Sequence, residues 1–183
     1  MSPSTALITG ASSGIGRALA RAFARDGYAL VLVARRLVVL EELAAELARD
    51  HGVTVRVMAI DLAAPDAAMR LFSDLQRAGV VVDVLVNNAG FGLQGAFTAL
   101  PADRQLQMIH VNITALTALT RLLLPPMLER SGGGVLNVGS TAGFQPGPFM
   151  AVYYATNAYV VSFTEALAAV LLVLLSVLGR DLG

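Results

Sequence analysis

The chain has no lysine. All 13 of its basic residues are arginine, and 13 acids balance them to a net charge of zero. Without a basic excess there is no long-range field to gather nucleic acid or an anionic membrane surface, so neither is expected as a partner. Cysteine is absent too, which excludes disulfides and thiolate metal sites. Two histidines, His51 and His110, are too few for an ordinary zinc centre. His110 reads as structural and His51 as a solvated loop residue. Charged residues make up only 14% of the chain and apolar residues 56%, against about 25% charge in typical soluble domains. That surplus fits a parallel sheet covered on both faces, an oligomer interface or a membrane contact. Ala166–Leu178, the longest apolar run, is broken only by Ser176 and falls short of the about 20 residues that span a bilayer. The chain opens almost directly on a strand pattern, without a basic or signal-type segment. A cytosolic protein is expected.

What is present is an alternation of short apolar runs and longer helical patterns, within a length of 183 residues that suits one domain. Ala6–Thr9 reads as a strand and Gly14–Asp26 as a helix, with Gly27 placed for the left-handed residue that follows a helix. Ala29–Ala34 is apolar throughout, as a strand covered on both faces should be. Leu37–Asp50 is helical, Val53–Ile60 a strand, Pro65–Ala78 a helix and Val82–Val86 a strand. Pro101–Arg130 is a long helical region that Pro125-Pro126 should kink or interrupt. Val135–Val138 is a fifth strand, and Ala151–Leu178 reads as one long helix. Val170–Leu178 is apolar all round, so a further strand after a very short connection is the alternative there. Strands alternating with helices predict a single doubly wound α/β domain, a Rossmann fold with a parallel sheet.

The glycine-rich turn Thr9-Gly10-Ala11-Ser12-Ser13-Gly14-Ile15-Gly16 lies between the first strand and the first helix. In that context the glycines permit a tight turn and let the backbone approach a pyrophosphate, while amides at the helix N-terminus face the phosphates. Gly10, Ser12, Ser13, Gly14, Ile15 and Gly16 are therefore candidate dinucleotide contacts. The second strand runs into Arg35-Arg36, nineteen and twenty positions past Gly16. An NAD site usually carries an acid there, whereas a guanidinium fits a 2′-phosphate in fork geometry. NADP is expected over NAD.

Ser140 is followed thirteen positions later by Tyr153, and four positions after that by Asn157. A lone serine at a strand end is usually a cap and a lone tyrosine is usually core, with Tyr154 competing for the role. The spacing selects Tyr153. Reduction of a carbonyl needs a hydride and a proton delivered to the carbonyl oxygen. Tyr153 is the candidate acid, and Ser140 a donor to the same oxygen. Free tyrosine has a pKa of about 10, and a cation about 4–6 Å away lowers such a value by about 1–3 units. Lysine one helical turn along would supply that cation, but position 157 is asparagine and the chain holds no substitute. The Asn157 amide keeps the ability to donate to a ribose hydroxyl. It cannot carry charge or relay a proton. Tyr159 and Phe163 on the same helix read as core or interface.

With these residues in view, the chain resembles a classical short-chain dehydrogenase/reductase from Thr5 to about Ala168. The resemblance rests on Thr9-Gly10-x-x-x-Gly14-x-Gly16, Asp61-Leu62, Asn87-Asn88-Ala89-Gly90, Asn112, Ser140 and Tyr153, in order. It implies an NADP-dependent oxidoreductase acting on a carbonyl or secondary alcohol, with Asn112, Ser140, Tyr153 and Asn157 in the catalytic positions. It implies that Asp61 and Leu62 meet the adenine, that Asn88, Ala89 and Gly90 line the cofactor cleft, and that Tyr153 and Asn157 border the nicotinamide ribose. It also implies a homodimer or homotetramer, with Pro101–Arg130 and Ala151–Leu178 as candidate interfaces. Substrate would be shaped by Gly92–Phe97 and Gln145–Met150. Family members continue into further C-terminal strands and a substrate-binding loop, and nothing after Ala168 matches these. The expectation is a chain lacking the C-terminal strands, with the fifth strand an exposed edge. Leu37-Val38-Val39 is a further departure, apolar where a helix start normally meets solvent. Truncation or partial alteration of the sequence would account for these features together. The runner-up reading is a protein that binds NADP(H) without turnover, a sensor or scaffold. A structural module that binds no nucleotide is the third.

Overall fold

The structure, a computed structural model, describes residues 3–130, 132–168 and, as backbone, 173–178. Helices alternate with parallel strands: β1 (Thr5–Thr9), α1 (Gly14–Arg25), β2 (Ala29–Ala34), α2 (Leu37–His51), β3 (Val55–Ala59), α3 (Ala67–Arg77) and β4 (Val84–Asn87). Then come α4 (Ala102–Ile109), a π-helical stretch (His110–Ala115), α5 (Leu116–Glu129), β5 (Gly134–Ser140), a 3₁₀ turn (Thr141–Phe144), α6 (Ala151–Ala168) and β6 (Val173–Leu178). The sheet order is β3-β2-β1-β4-β5-β6, the doubly wound arrangement expected of this alternation.

Period-two alternation along each strand splits the core into two layers. Leu7, Val31, Val33 and Leu85 face α3 and α5, where Leu71, Leu75, Leu119 and Leu123 complete one cluster. Ala6, Ile8, Leu30 and Leu32 face α1 and α2, where Ala20, Ala24, Leu40, Leu43 and Leu47 complete the other. This explains why Ala29–Ala34 shows no polar alternation: Leu30 to Val33 are at most 1% exposed. Each such side chain contributes about 1.5–3 kcal/mol on burial. Gly27 takes φ +82° after α1, as the sequence predicts.

Three expectations are corrected. Pro125 and Pro126 do not interrupt their helix, which continues through them to Glu129. Each lacks an N–H, so the Arg121 and Leu122 carbonyls forgo their usual partners four residues on, and the packing of Leu119, Leu123 and Met127 into the core holds the helix through them. The irregularity falls instead at His110–Ala115, where the bonding pattern widens to a π-helix. The long helix expected over Ala151–Leu178 ends at Ala168, and residues 169–172 lie outside the described ones. Val173–Leu178 pairs in parallel with β5, Val135 opposite Val173 through Ser140 opposite Leu178. β5 is therefore not an edge, and the sheet does not stop at five strands. The apolar-all-round tail suits a strand whose neighbour supplies the hydrogen bonds.

Ala102–Glu129 is long and apolar enough to cross a bilayer, with a mean hydropathy of 1.3 over its most apolar window. In this fold Leu116, Leu119, Leu123 and Met127 of that stretch are core residues. Leu37 and Val38 stand 46% and 65% exposed at the start of α2.

Candidate active site

The site forms at the carboxyl ends of the strands, where the strand order reverses between β1 and β4, the usual ligand position in an open α/β sheet. Thr9 locks this point. Its Oγ1 donates to the Val86 carbonyl at 3.2 Å and accepts from the Asn88 and Ala89 amides, both at 3.0 Å. Asn88 Nδ2 returns to the Thr9 carbonyl at 2.8 Å. Close approach is what demands glycine here. A Cβ on Gly10 would lie 2.8 Å from Asn88 Nδ2, and one on Gly16 would strike both Asn88 Nδ2 and the Gly10 carbonyl.

Ser13 is the N-cap of α1, and its side chain makes no capping hydrogen bond. The first-turn amides are left for a ligand, with the positive end of the helix dipole behind them. Gly14 has no atom within 4 Å of where a Cβ would point. These features fit a dinucleotide phosphate. The cleft they border has a volume of about 560 Å³ and is lined by Gly10, Ser12, Ser13 and Ile15 on one side and by Asp61, Leu62 and Asn88–Phe91 on the other. Arg35 and Arg36 line it as well. Arg36 Nη2 donates to the Ser12 carbonyl at 3.2 Å and to Ser12 Oγ at 3.1 Å, so one guanidinium is held against the turn. Asp61 Oδ1 accepts from the Ala63 amide at 3.0 Å, which fixes the carboxylate at the cleft rim.

An adjoining cavity of about 260 Å³ is lined by Asn112, Ser140, Tyr153 and Asn157 together. It shares Ile15 and Asn88–Phe91 with the larger cleft. Ser140 ends β5 and caps the 3₁₀ turn: its Oγ accepts from the Ala142 amide at 3.2 Å. The hydroxyl proton is thereby left to point at a substrate oxygen. Both roles foreseen for this serine, cap and donor, are thus open to one hydroxyl. Tyr153 lines the cavity with Gly92 against its ring, since a Cβ there would sit 3.1 Å from Tyr153 Cδ2. Among the described residues no protein group bonds its hydroxyl. Tyr154 packs edge-on to Tyr153, ring centroids 6.2 Å apart, and does not line this cavity.

Asn112 occupies the π-helical stretch, where widened helices often mark functional positions. Its Oδ1 accepts from the Phe91 amide at 3.1 Å, and its Nδ2 donates to the Phe91 carbonyl at 3.0 Å and to Thr156 Oγ1 at 3.1 Å. Asn157 is 7% exposed. Its Nδ2 donates to the Tyr153 carbonyl at 2.9 Å, one turn back along α6. One N–H of the amide is spent on its own helix, and Oδ1 and a second N–H remain toward the cavity.

Sequence reasoning passed over Thr156, which is 1% exposed, accepts from Asn112 and donates to the Tyr153 carbonyl at 2.8 Å. It also passed over Asn137, whose Nδ2 donates to Thr164 Oγ1 at 2.8 Å and whose Oδ1 accepts from Asn87 Nδ2 at 2.9 Å. A polar residue inside the apolar strand Val-Leu-Asn-Val was the available signal. Tyr159 and Phe163 stack at 5.6 Å, and Tyr159 Oη pairs with Thr117 Oγ1 at 2.8 Å, so they tie α6 to α5. His51 is the exposed last residue of α2, not a loop residue, and His110 is half-buried in the π-helical stretch.

One carboxylate away from the site is strongly shifted. Glu46 receives Arg21 Nε at 2.7 Å and Arg17 Nη2 at 3.2 Å. The Arg21 hydrogen bond, with that of Arg17 behind it, holds its carboxyl at about 2, below the ordinary range.

Comparison with known proteins agrees with the geometry. The sequence matches the short chain dehydrogenase family over residues 4–172. A short chain dehydrogenase of Pseudocercospora fijiensis is 37% identical over 167 residues, covering 90% of this chain and 54% of that protein. A very-long-chain 3-oxoacyl-CoA reductase of Anas platyrhynchos is 37% identical over 169 residues, with the same coverage of 90% and 54%. The chain thus spans about half the length of these relatives. Among solved structures, a short-chain dehydrogenase from Sphingobium yanoikuyae in complex with NADPH superposes with a TM-score of 0.87 at 37% identity, covering 97% of this chain and 72% of that one. A bulky-bulky ketone specific alcohol dehydrogenase from Comamonas testosteroni gives 0.88 at 34%, covering 98% and 75%. The sheet order, the glycine turn and the sequence match converge: this chain belongs to the short-chain dehydrogenase/reductase family of oxidoreductases.

Proposed function

We propose that the chain is an NADP(H)-dependent oxidoreductase that interconverts a carbonyl and a secondary alcohol. The observation that carries this reading is the shared wall: Asn112, Ser140, Tyr153 and Asn157 line one cavity, and Asn88–Phe91 and Ile15 join it to the glycine-turn cleft. Bound nicotinamide supplies or accepts a hydride at the reacting carbon. In reduction, Ser140 Oγ donates a hydrogen bond to the carbonyl oxygen and Tyr153 Oη delivers the proton to it. Asn112 acts indirectly, its amide holding the Phe91 backbone and the Thr156 hydroxyl in place. The arginine pair at the cleft rim supports NADP over NAD, as does the NADPH bound by the Sphingobium relative. Exposed Leu106, Ile109 and Leu128 on the candidate interface helices support a homodimer or homotetramer.

A second reading, NADP(H) binding without efficient turnover, is favoured by one observation. Asn157 is neutral and turned onto the Tyr153 carbonyl, so no cation stands one turn from the candidate acid. Fluorescence titration with NADPH and NADH, followed by cofactor consumption over a carbonyl panel, tests both readings. Saturable binding with NADPH preferred by about tenfold or more and measurable turnover is the expected result. Saturable binding with no turnover would leave the second reading, and no saturable binding would sink both.

A further inference from the structure

Arg104 stands in the first turn of α4, which begins at Ala102. The helix dipole disfavours a cation there, and among the described residues no carboxylate pairs with it. Two other contacts hold it. Its guanidinium carbon lies 5.1 Å from the centroid of the Phe91 ring, within the range of a cation–π interaction. Its Nη1 donates to Gln107 Oε1 at 2.7 Å, one turn along the same helix. The guanidinium is thus seated on an aromatic face and tethered at one nitrogen. Its remaining N–H donors have no protein acceptor among the described residues.

This side chain faces the large cleft. Arg104, Gln107 and Val111 line it together with the glycine turn, and none of the three lines the catalytic cavity. Among the described residues the charged side chains around the cleft are Arg35, Arg36, Arg104 and Asp61. The sheet order places β1 between β2 and β4. The glycine turn follows β1, the arginine pair follows β2, and Asn88–Phe91 follow β4. Arg104, resting on Phe91, therefore stands on the far side of the turn from Arg35 and Arg36. The turn and the β4 end meet closely: a Cβ on Gly10 would lie 2.9 Å from Ala89 Cα. A glycine turn leading into a helix N-terminus is a binding place for a diphosphate. The α1 amides offer only partial positive charge to it, while each phosphate carries a full negative one. The chain has no lysine to make up the difference.

We propose that Arg104 binds the diphosphate of the dinucleotide and is the cation of that part of the cofactor site. Phe91 and Gln107 hold its guanidinium ready, and its unengaged donors match phosphate oxygens in fork geometry. The inference rests on the oxidoreductase reading and adds a cofactor residue to it. Because NADPH and NADH share the diphosphate, Arg104 strengthens both alike and takes no part in choosing between them.

Fluorescence titration with NADPH and NADH, and displacement of NADPH by 2′-AMP, test it. Arg104→Met keeps an unbranched stem and removes the charge. Its dissociation constants for NADPH and NADH are expected to rise by the same factor, about tenfold or more, the scale of a lost charged hydrogen bond. The affinity of 2′-AMP, which has no diphosphate, is expected to stay unchanged. Arg104→Lys restores charge without the fork and is expected to recover part of the loss. Unchanged affinity for both dinucleotides in Arg104→Met would overturn the proposal alone. A loss confined to NADPH would overturn it as well, since the residue would then serve the 2′-phosphate. An equal loss for 2′-AMP would also overturn it, as the mark of a merely structural role. Failure of the unaltered protein to bind NADPH would overturn the oxidoreductase reading and this proposal with it.

Discussion

Asn157 Nδ2 donates to the Tyr153 carbonyl at 2.9 Å, so the residue one turn after the candidate acid is bonded to that acid's own main chain. A lysine at this position would carry its charge past the carbonyl toward the cavity. An asparagine has no charge to carry, and one N–H of its amide is engaged on the helix. This single bond links local helix chemistry to the question of turnover.

Restoring the cation is the direct test. Asn157→Lys is expected to raise NADPH-dependent carbonyl turnover by about 10²–10⁴, the usual scale of acid–base assistance. Steady-state NADPH consumption measures it. No gain, with NADPH affinity retained, would show that position 157 is not limiting.

Cofactor choice is expected to follow the arginine held on the turn. Arg36 makes two hydrogen bonds to Ser12 and lines the cleft. Arg36→Glu replaces a phosphate partner with a repelling charge. The dissociation constant for NADPH is expected to rise by about 10–100-fold, and that for NADH to change by less than about threefold. Parallel fluorescence titrations decide it, and an equal loss for both cofactors would count against a 2′-phosphate site.

The glycine turn makes a steric prediction. A methyl group on Gly16 would meet Asn88 Nδ2 and the Gly10 carbonyl, the atoms that join β1 to β4. Gly16→Ala is expected to abolish measurable NADPH binding and to cost about 1–3 kcal/mol of stability, the range for overpacking. Circular dichroism should still report a folded α/β protein, which separates loss of the site from loss of the fold.

Glu46 gives a pH dependence away from the site. Its folded-state pKa lies at about 2, below the ordinary value of 4.5. A depressed carboxylate contributes stability above its unfolded pKa and loses it as pH falls toward the folded one. Glu46→Gln is therefore expected to lower Tm by about 2 °C at neutral pH, a small effect because the arginines are solvent-exposed. The difference should shrink below pH 4.5 and vanish near pH 2. Thermal melts across that window check it, and a difference that persisted unchanged at the acid end would contradict the assignment.

The strand–helix alternation was legible because both periods are strong here. Leu30–Val33 has no polar face to hide, and Gly27 marks where α1 must end. The residues after Ala168 were not legible. An apolar run without periodicity fits a buried helix or a buried strand equally, and only the pairing of Val173–Leu178 with β5 decides between them. Pro125-Pro126 misled for a related reason: local propensity is a weak prior, and burial of Leu119, Leu123 and Met127 on the same helix overrides it. The π-helical turn around Asn112 carries no glycine or proline to announce it. It lies where Asn112 bonds Phe91 and Thr156, 21 and 44 residues away along the chain.

The sequence by itself determined which chemical groups this protein owns: a glycine turn, an arginine pair, a serine, a tyrosine, and an asparagine in a chain without lysine. Those follow from residue type and spacing within single elements, because backbone sterics and helix geometry are local. The tertiary structure decided how the groups are used. Packing of α6 against the π-helical stretch turned Asn112 onto Phe91 and Thr156. Hydrogen-bond partners distant in sequence are set by three-dimensional contact, and contact is what no spacing along one chain contains.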